Sequence, residues 1–288
     1  MGKVKNNFNE SLMLNQASFY YYLDRLTDLA LSRFKWNNLP ETVDARFLEL
    51  IEFTDGKALY FNDDVMGDLT LKFAIGGRLS VYREPLDRYV IADNGYSKNC
   101  TEKDSVIIWN NMLHQNTYPQ MLYYAKLIWD LDMTVRVNAK AQKTPIILVC
   151  DETERLSVLN MYKEYDGNSP VIRGRKGINN SMEVLQTGAP YVADKIYALK
   201  TQYWNEALTF LGISNVTYQK KERMLSDEVE RTQGGVIASR KSALSERERA
   251  CEKINRMFNT DISVEYDEEL NEMDTSLPEL PKVGDIDE

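Results

Sequence analysis

The 288-residue chain is 43 % hydrophobic, enough for a substantial core, and carries a net charge of −9. No run of eighteen or more apolar residues occurs, which excludes a membrane-spanning helix. The single histidine, His114, excludes His-rich metal sites and is predicted to be a loop or packing residue; the sequence also has no glycine-rich phosphate loop. We therefore expect no enzyme activity, no metal and no cofactor. The cysteines Cys100, Cys150 and Cys251 are far apart and predict unpaired thiols in a reducing cytoplasm.

The negative charge lies mainly in the last part of the chain. Residues 261–288 contain 11 acidic residues and one basic residue, a net of −10, so residues 1–260 carry a net of +1. An acidic segment of this kind, with Pro278 and Pro281 in it, is expected to be solvated and disordered. A docking role is the alternative interpretation.

Three segments show apolar residues at helical spacing and are predicted to be long helices. The first should end before Pro40, because the residue ahead of a proline avoids the α conformation. Its apolar positions are Phe19, Leu23, Leu26, Ala30 and Phe34.

The second predicted helix begins near Thr117 and runs toward Lys140, with Pro119 in its first turn. The third opens at Pro190 and ends at Gly212, a rod of roughly 33 Å at about 1.5 Å per residue. The apolar stripe of the third helix consists of Val192, Ile196, Leu199, Tyr203, Ala207 and Phe210.

Between the first two helices the apolar pattern alternates with period two, which is typical of strands. Strands are predicted at residues 57–61, 69–75, 78–82, 88–92 and 105–109, and Asp93-Asn94-Gly95 is a tight-turn signal. Five short strands in about 55 residues predict a small barrel, SH3-like or OB-like in size.

The rest of the chain predicts smaller elements. A strand at 145–150 is followed by a helix that ends near Gly167 and by a short apolar segment at 170–172. Residues 215–235 mix both charges and end in two glycines, so they are predicted to be a loop or mobile arm. A final amphipathic helix at 245–258 begins with a capping box, Ser245 and Glu248.

Seven sequence strings occur in the same order and at similar spacing as in one known family. The chain resembles the portal proteins (upper collar, or head–tail connector) of small short-tailed bacteriophages with protein-primed genomes. The strings span about three-quarters of the chain: WNNLP (36–40), AQKTP (141–145), YDGNSPVI (165–172), APYVADK (189–195), WNEALTFLGI (204–213), KKERMLSDEV (220–229) and ACEKIN (250–255).

The resemblance implies an α+β fold that assembles into a ring of twelve subunits around a channel for double-stranded DNA. Three long helices form the stem, and a small SH3-like β-barrel forms the wing. The implied organisation is an N-terminal arm with the first stem helix (1–40), the wing (41–116), the second and third stem helices with an α/β wing segment between them (117–213), a channel loop with the C-terminal helix (214–260), and the acidic tail (261–288).

The resemblance also implies a location and a set of partners. The ring sits at one vertex of the virion capsid after assembly in the host cytoplasm. It contacts the packaging ATPase, a packaging RNA, capsid and scaffold proteins, and the lower collar or tail protein. The ATPase of this family is a separate protein, which accounts for the absence of a phosphate loop from this sequence. The arm carries only Lys3 and Lys5, so RNA docking through it is weakly supported.

Three lysines match positions that line the channel in this family, namely Lys195, Lys220 and Lys221. A fourth family lysine is replaced by Gln186. The alternative interpretations are an ordinary solvated helix residue for Lys195 and a charged surface loop for the other two. A collar or scaffold protein that does not conduct DNA is the alternative function, and a Mg²⁺-dependent nuclease or nucleotide hydrolase is a third.

Overall fold

The computed structural model contains long helices and short strands. It describes residues 2–141, 146–148, 182–184, 190–214, 226–271, 275 and 277. The helices are α1 (Gly2–Leu31), α2 (Ala45–Asp55), α3 (Tyr118–Ala141), α4 (Ala193–Leu211) and α5 (Ser226–Phe258). The strands are β1 (Phe34–Asn37), β2 (Lys57–Asp63), β3 (Gly67–Leu71), β4 (Phe73–Ile75), β5 (Asp87–Ile91), β6 (Ser97–Thr101), β7 (Ser105–Trp109), β8 (Ile146–Leu148), β9 (Met182–Val184) and β10 (Ser263–Tyr266). In these ranges no helix is long and apolar enough to cross a membrane.

The chain divides into two compact units, residues 1–129 with 200–288, and residues 130–199. In the second unit β8 and β9 form an antiparallel pair, which confirms the strand predicted at 145–150 over residues 146–148. The helix predicted to end near Gly167 and the apolar segment at 170–172 lie outside the described residues.

The first unit contains a helical core to which all three predicted long helices contribute. Its buried side chains are Tyr22, Leu23, Leu26, Leu29 and Ala30 of α1, Met121, Ala125 and Ile128 of α3, and Trp204, Ala207, Leu208 and Leu211 of α4. The bounds of α3 agree with the prediction, whereas α4 begins at Ala193, three residues after the predicted start at Pro190. Gly212 adopts the left-handed conformation (φ +78°) that ends α4, as predicted.

Two details of the helix predictions are wrong. The first helix ends at Leu31, and Phe34 begins strand β1 because it pairs with Tyr266 of β10. The predicted stripe of α4 is also rotated, since Leu199 and Phe210 are 38 % and 42 % exposed while Trp204 is completely buried. The helical core therefore packs against a face of α4 that is rotated from the predicted apolar stripe.

The strands between α2 and α3 form two antiparallel three-stranded sheets, in the orders β3-β2-β7 and β4-β5-β6. The two sheets share one apolar core, made of Leu59, Phe61, Phe73, Val90, Cys100 and Ile107. The opposite face of β2 and β7 packs against α2 and α5. Burial on both faces explains why these two strands read as nearly continuous apolar runs.

The predicted closed barrel is not present in this region, because the two sheets are not hydrogen-bonded into a ring. Residues 78–82 do not form a strand; they belong to a tight loop in which Ser80 exchanges backbone and side-chain hydrogen bonds with Glu84. The predicted strand at 69–75 is interrupted at Lys72, and β6 was missed. Its residues Ser97–Thr101 are mostly polar, so they lack the apolar signal of a strand.

Helix α5 extends over 33 residues, so the loop predicted at 215–235 is wrong for residues 226–235. Residues 215–225 lie outside the described residues. Ser245 and Glu248 lie inside the helix and not at its start, so they do not form a capping box. The packing of Ala243, Cys251 and other apolar α5 residues against the sheet stabilises a helix that its polar sequence does not signal.

The first part of the acidic segment is folded, contrary to the prediction of disorder. Strand β10 pairs with β1 along its whole length, and a 3₁₀ helix follows at Glu268–Asn271. Ile262 and Leu270 are 2 % and 3 % exposed. Trp204, on α4, donates a hydrogen bond from its indole nitrogen to Thr275 O at 2.8 Å. Residues 262–271 and Thr275 therefore contribute buried side chains and hydrogen bonds to the first unit.

A buried ion pair joins α5 to α2. Arg247 and Glu49 are 0 % and 3 % exposed, and their side chains form two hydrogen bonds of 2.9 and 3.0 Å. Glu52, one turn further along α2, is also completely buried. Burial raises the pKa of Glu52 to about 8; the charge of Arg247 opposes this shift, and that of Glu49 adds to it. Glu52 therefore binds a proton in the folded state at neutral pH.

Replacing Ile262 by Ala should lower the free energy of unfolding by roughly 2–5 kcal/mol, because it removes buried side-chain volume from the core. The matched change Ser263→Ala, at an exposed position of the next residue, should alter it by no more than about 0.5 kcal/mol. Urea unfolding of the two variants measures both values. Equal, small effects would show that the segment is solvated.

Glu52→Gln should stabilise the protein increasingly as the pH rises from about 5 to about 8. Over this range the folded state keeps a proton on Glu52 that the unfolded state, with an ordinary carboxyl pKa, has lost, so deprotonation opposes folding. Above about pH 8 the difference from the wild type should become constant. Urea unfolding at several pH values measures it. A stabilisation that is the same at every pH would contradict the raised pKa of Glu52.

Glu49→Gln serves as the comparison variant. It weakens the pair with Arg247, so it should destabilise the protein at every pH tested.

Candidate channel-lining site

Lys195 lies in the first turn of α4, and a side chain of α3 fixes the start of this helix. Asn138 accepts a hydrogen bond from the amide of Val192 at 3.0 Å and donates one to Pro190 O at 2.9 Å. Val192 and Pro190 directly precede α4 in the chain. The two hydrogen bonds therefore hold the helix start, and with it the backbone that carries Lys195, against α3.

Helix stability does not explain the charge of Lys195. Its side chain is exposed, and none of the carboxylates in the described ranges forms an ion pair with it. It is the third residue of α4, where the positive end of the helix dipole disfavours a cation. Asp194, beside it, carries the favourable sign. Lys195 is therefore accessible to an anion from outside the subunit.

The other predicted channel residues are not placed. Lys220 and Lys221 belong to residues 215–225, which join Ser214 to the start of α5 and lie outside the described residues, as does Gln186. Of the three lysines, the structure thus describes the surroundings of Lys195 alone.

The residues that could support nucleophilic chemistry have structural roles. His114 stacks on Trp109 in the loop before α3, with ring centroids 3.9 Å apart, which confirms the prediction of a packing residue in a loop. Cys100 and Cys251 are buried free thiols, and burial raises their pKa to about 11 and about 12. Cys150 lies outside the described residues. Within the described chain, no three His, Cys, Asp or Glu side chains are grouped to hold a metal.

A cleft beside the last turns of α5 was missed by the sequence reasoning. We call it the α5 cleft; its volume is about 470 Å³, and it is lined by Glu84, Arg88, Glu102, Ser105, Val106, Ile107, Trp109, Lys253, Arg256 and Met257. The lining comes from two segments about 150 residues apart, so no local motif joins them. One signal was available: Arg88 occupies an inward-facing position of β5, two residues before the buried Val90.

The chain matches one protein family and is similar to solved structures of phage portals. The family described as Phage Connector (GP10) matches residues 3–271. A solved structure of the portal and tail of native bacteriophage P68 is similar, with a TM-score of 0.50 and 14 % identity over 92 % of this chain and 91 % of that chain. An HK97-family phage portal protein from Corynebacterium diphtheriae matches with a TM-score of 0.44 and 10 % identity, over 87 % of this chain and 95 % of that chain.

The family match extends over nearly the whole chain, from α1 to the 3₁₀ helix after β10. The likeness to the P68 structure concerns the fold and agrees with the mixture of long helices and small sheets described above. The chain belongs to the phage connector (GP10) family, and its function is that of a portal, the connector between phage head and tail.

Proposed function

We propose that copies of this connector chain form a closed ring whose central channel conducts double-stranded DNA during packaging and ejection. The observation that carries this proposal is the family match over residues 3–271. A portal of this family is an oligomeric ring at the capsid vertex, in contact with capsid and tail. Twelve subunits is the number that the resemblance to the short-tailed phage proteins implies.

Two separate cores in the first unit support the proposed stem and wing of the ring. The core shared by α1, α3 and α4 supports the assignment of these helices to the stem. The core between the two three-stranded sheets supports the assignment of residues 57–109 to the wing. In this proposal an open two-sheet unit of similar size takes the place of the closed SH3-like barrel.

The charge of the chain suits a channel through which DNA must slide. Strong neutralisation of many phosphates would hold the duplex in place, because each contact that releases counterions adds to the affinity. A ring of identical subunits repeats each lysine once per subunit, so Lys195, Lys220 and Lys221 would form rings of weak, evenly spaced contacts. The exposure of Lys195 and its position at a helix start support this role.

The partners follow from the same proposal. The ring holds a separate packaging ATPase and a packaging RNA while the head fills, together with capsid and scaffold proteins. Afterwards it holds the lower collar or tail protein. The chain itself supplies a structure and no catalysis, and assembly takes place in the host cytoplasm before the ring becomes part of the virion.

Negative-stain microscopy of the purified chain tests the ring. We expect closed rings with a central hole wide enough for a duplex. Closed rings without an open channel would favour a collar or scaffold protein that does not conduct DNA. Monomers or open filaments under assembly conditions would contradict the portal ring. Hydrolysis of ATP or DNA in the presence of Mg²⁺ would contradict a purely structural role.

Replacing Lys195, Lys220 and Lys221 together by Ala should leave rings intact but weaken their retention of duplex DNA to a similar extent for every DNA sequence. The salt dependence of binding should become shallower, because fewer phosphate contacts release counterions. Filter binding across a salt series measures both quantities. Lys103→Ala, at an exposed position between β6 and β7, is the matched control. Unchanged retention, or loss of the rings, would contradict the channel role.

A further inference from the structure

The α5 cleft combines an apolar wall with a charged rim. Trp109 and Met257 lie on its wall, and Met257 is 40 % exposed although it is apolar. Trp109 is held rigidly, because His114 stacks on its ring with an interplanar angle of 4°. A rigid aromatic wall beside an exposed methionine is suited to an apolar side chain from a binding partner.

Arg88 lies in this cleft and is 7 % exposed. Its Nε donates to Pro85 O at 3.1 Å, and its Nη1 donates to Ser105 O and Oγ at 2.5 and 3.1 Å. The Nη2 group makes no hydrogen bond to the described residues, and none of their carboxylates forms an ion pair with Arg88.

The carboxylates of Glu84, Glu102 and Asp104 lie near enough to favour the charge of Arg88, but none of them forms an ion pair with it. A buried guanidinium in this position therefore gains from a ligand that bonds to it directly. Two of the five guanidinium donors remain available on Nη2. A carboxylate is the group that this geometry fits, since arginine and carboxylate form strong charge-assisted hydrogen bonds. Burial lowers the pKa of Arg88, whereas the nearby charges of Glu84, Glu102 and Asp104 oppose this shift.

The charges at the rim of the cleft favour a peptide over a nucleic acid as its ligand. Lys253 and Arg256 are exposed on α5, whereas Glu84 and Glu102 stand on the other side. Two carboxylates at the rim would repel the dense phosphates of a duplex, which is also much wider than a cleft of about 470 Å³. An acidic peptide avoids both problems, because its carboxylates are spaced and its apolar side chains can face Trp109.

The sequence of the chain itself supplies such a peptide. Residues 278–288, PELPKVGDIDE, carry four carboxylates and one lysine, and Ile286 stands between Asp285 and Asp287. They follow Leu277, which packs against the helical core of the same unit that contains the cleft. Eleven residues can span up to about 40 Å when extended. We infer that the α5 cleft binds the acidic segment 278–288 of the connector chain, with a carboxylate on Arg88 and an apolar side chain against Trp109 and Met257.

The experiment uses the full chain in which Glu279, Asp285, Asp287 and Glu288 are changed to the corresponding amides, so that the attached segment no longer competes. A fluorescein-labelled synthetic peptide of residues 278–288 is added at low salt, and fluorescence anisotropy measures binding. We expect saturable binding that is at least about tenfold tighter than to the unchanged chain, where the attached segment occupies the cleft. A peptide with the same four amides should bind at least about tenfold more weakly than the acidic one.

Two rim variants locate the site without disturbing the buried arginine. In the amide-substituted chain, Arg256→Glu should weaken peptide binding about tenfold, while Lys241→Glu, an exposed position of α5 outside the cleft, should leave it nearly unchanged. Equal effects of the two variants would overturn the inference. So would equal binding of the acidic and amide peptides, no binding at all, or displacement of the peptide by a short DNA duplex, which would assign the cleft to phosphate.

Discussion

The arrangement of the first unit depends on the buried pair of Arg247 and Glu49. Both residues are at most 3 % exposed, and the guanidinium also donates to Asn110, in the segment before α3, and to Ala243 O. The ring of Phe34 lies 4.2 Å below the guanidinium carbon. One side chain thus links α5, α2, β1 and the approach to α3. Breaking such a pair costs far more than a surface contact, because the remaining charge stays buried.

Two buried arginines in the same unit differ in how many of their guanidinium donors form hydrogen bonds within the chain. Arg247 uses Nε, Nη1 and Nη2 in hydrogen bonds and has a carboxylate partner. Arg88 is nearly as buried, yet its Nη2 has no partner among the described residues and the group faces a cleft. The first arginine uses its donors within the subunit, whereas the second keeps its Nη2 donors available to a ligand.

Sequence patterns within a short window predicted the elements that are marked by residues close together in the chain. Pro119 and Pro190 mark the starts of α3 and α4, and Gly212 marks an end because its left-handed φ favours glycine. Strands β1 and β10 were missed because Phe34 pairs with Tyr266, and no pattern within a short window reveals a partner 232 residues away. Lys195 was assigned to the channel through resemblance alone. The α5 cleft was missed because its lining meets only after α5 packs on β7.

The folded part of the acidic segment changes the electrostatic argument about DNA. Residues 1–260 carry a net charge of +1, but residues 261–271 belong to the same folded unit and add five carboxylates, which brings residues 1–271 to −4. One of them, Glu268, pairs with Arg240 on α5 at 3.2 Å. A mildly acidic body does not attract a duplex over its whole surface. In the proposed channel, contact with DNA would then come from individual exposed lysines such as Lys195, and contacts of this kind would be weak enough for the duplex to slide past them.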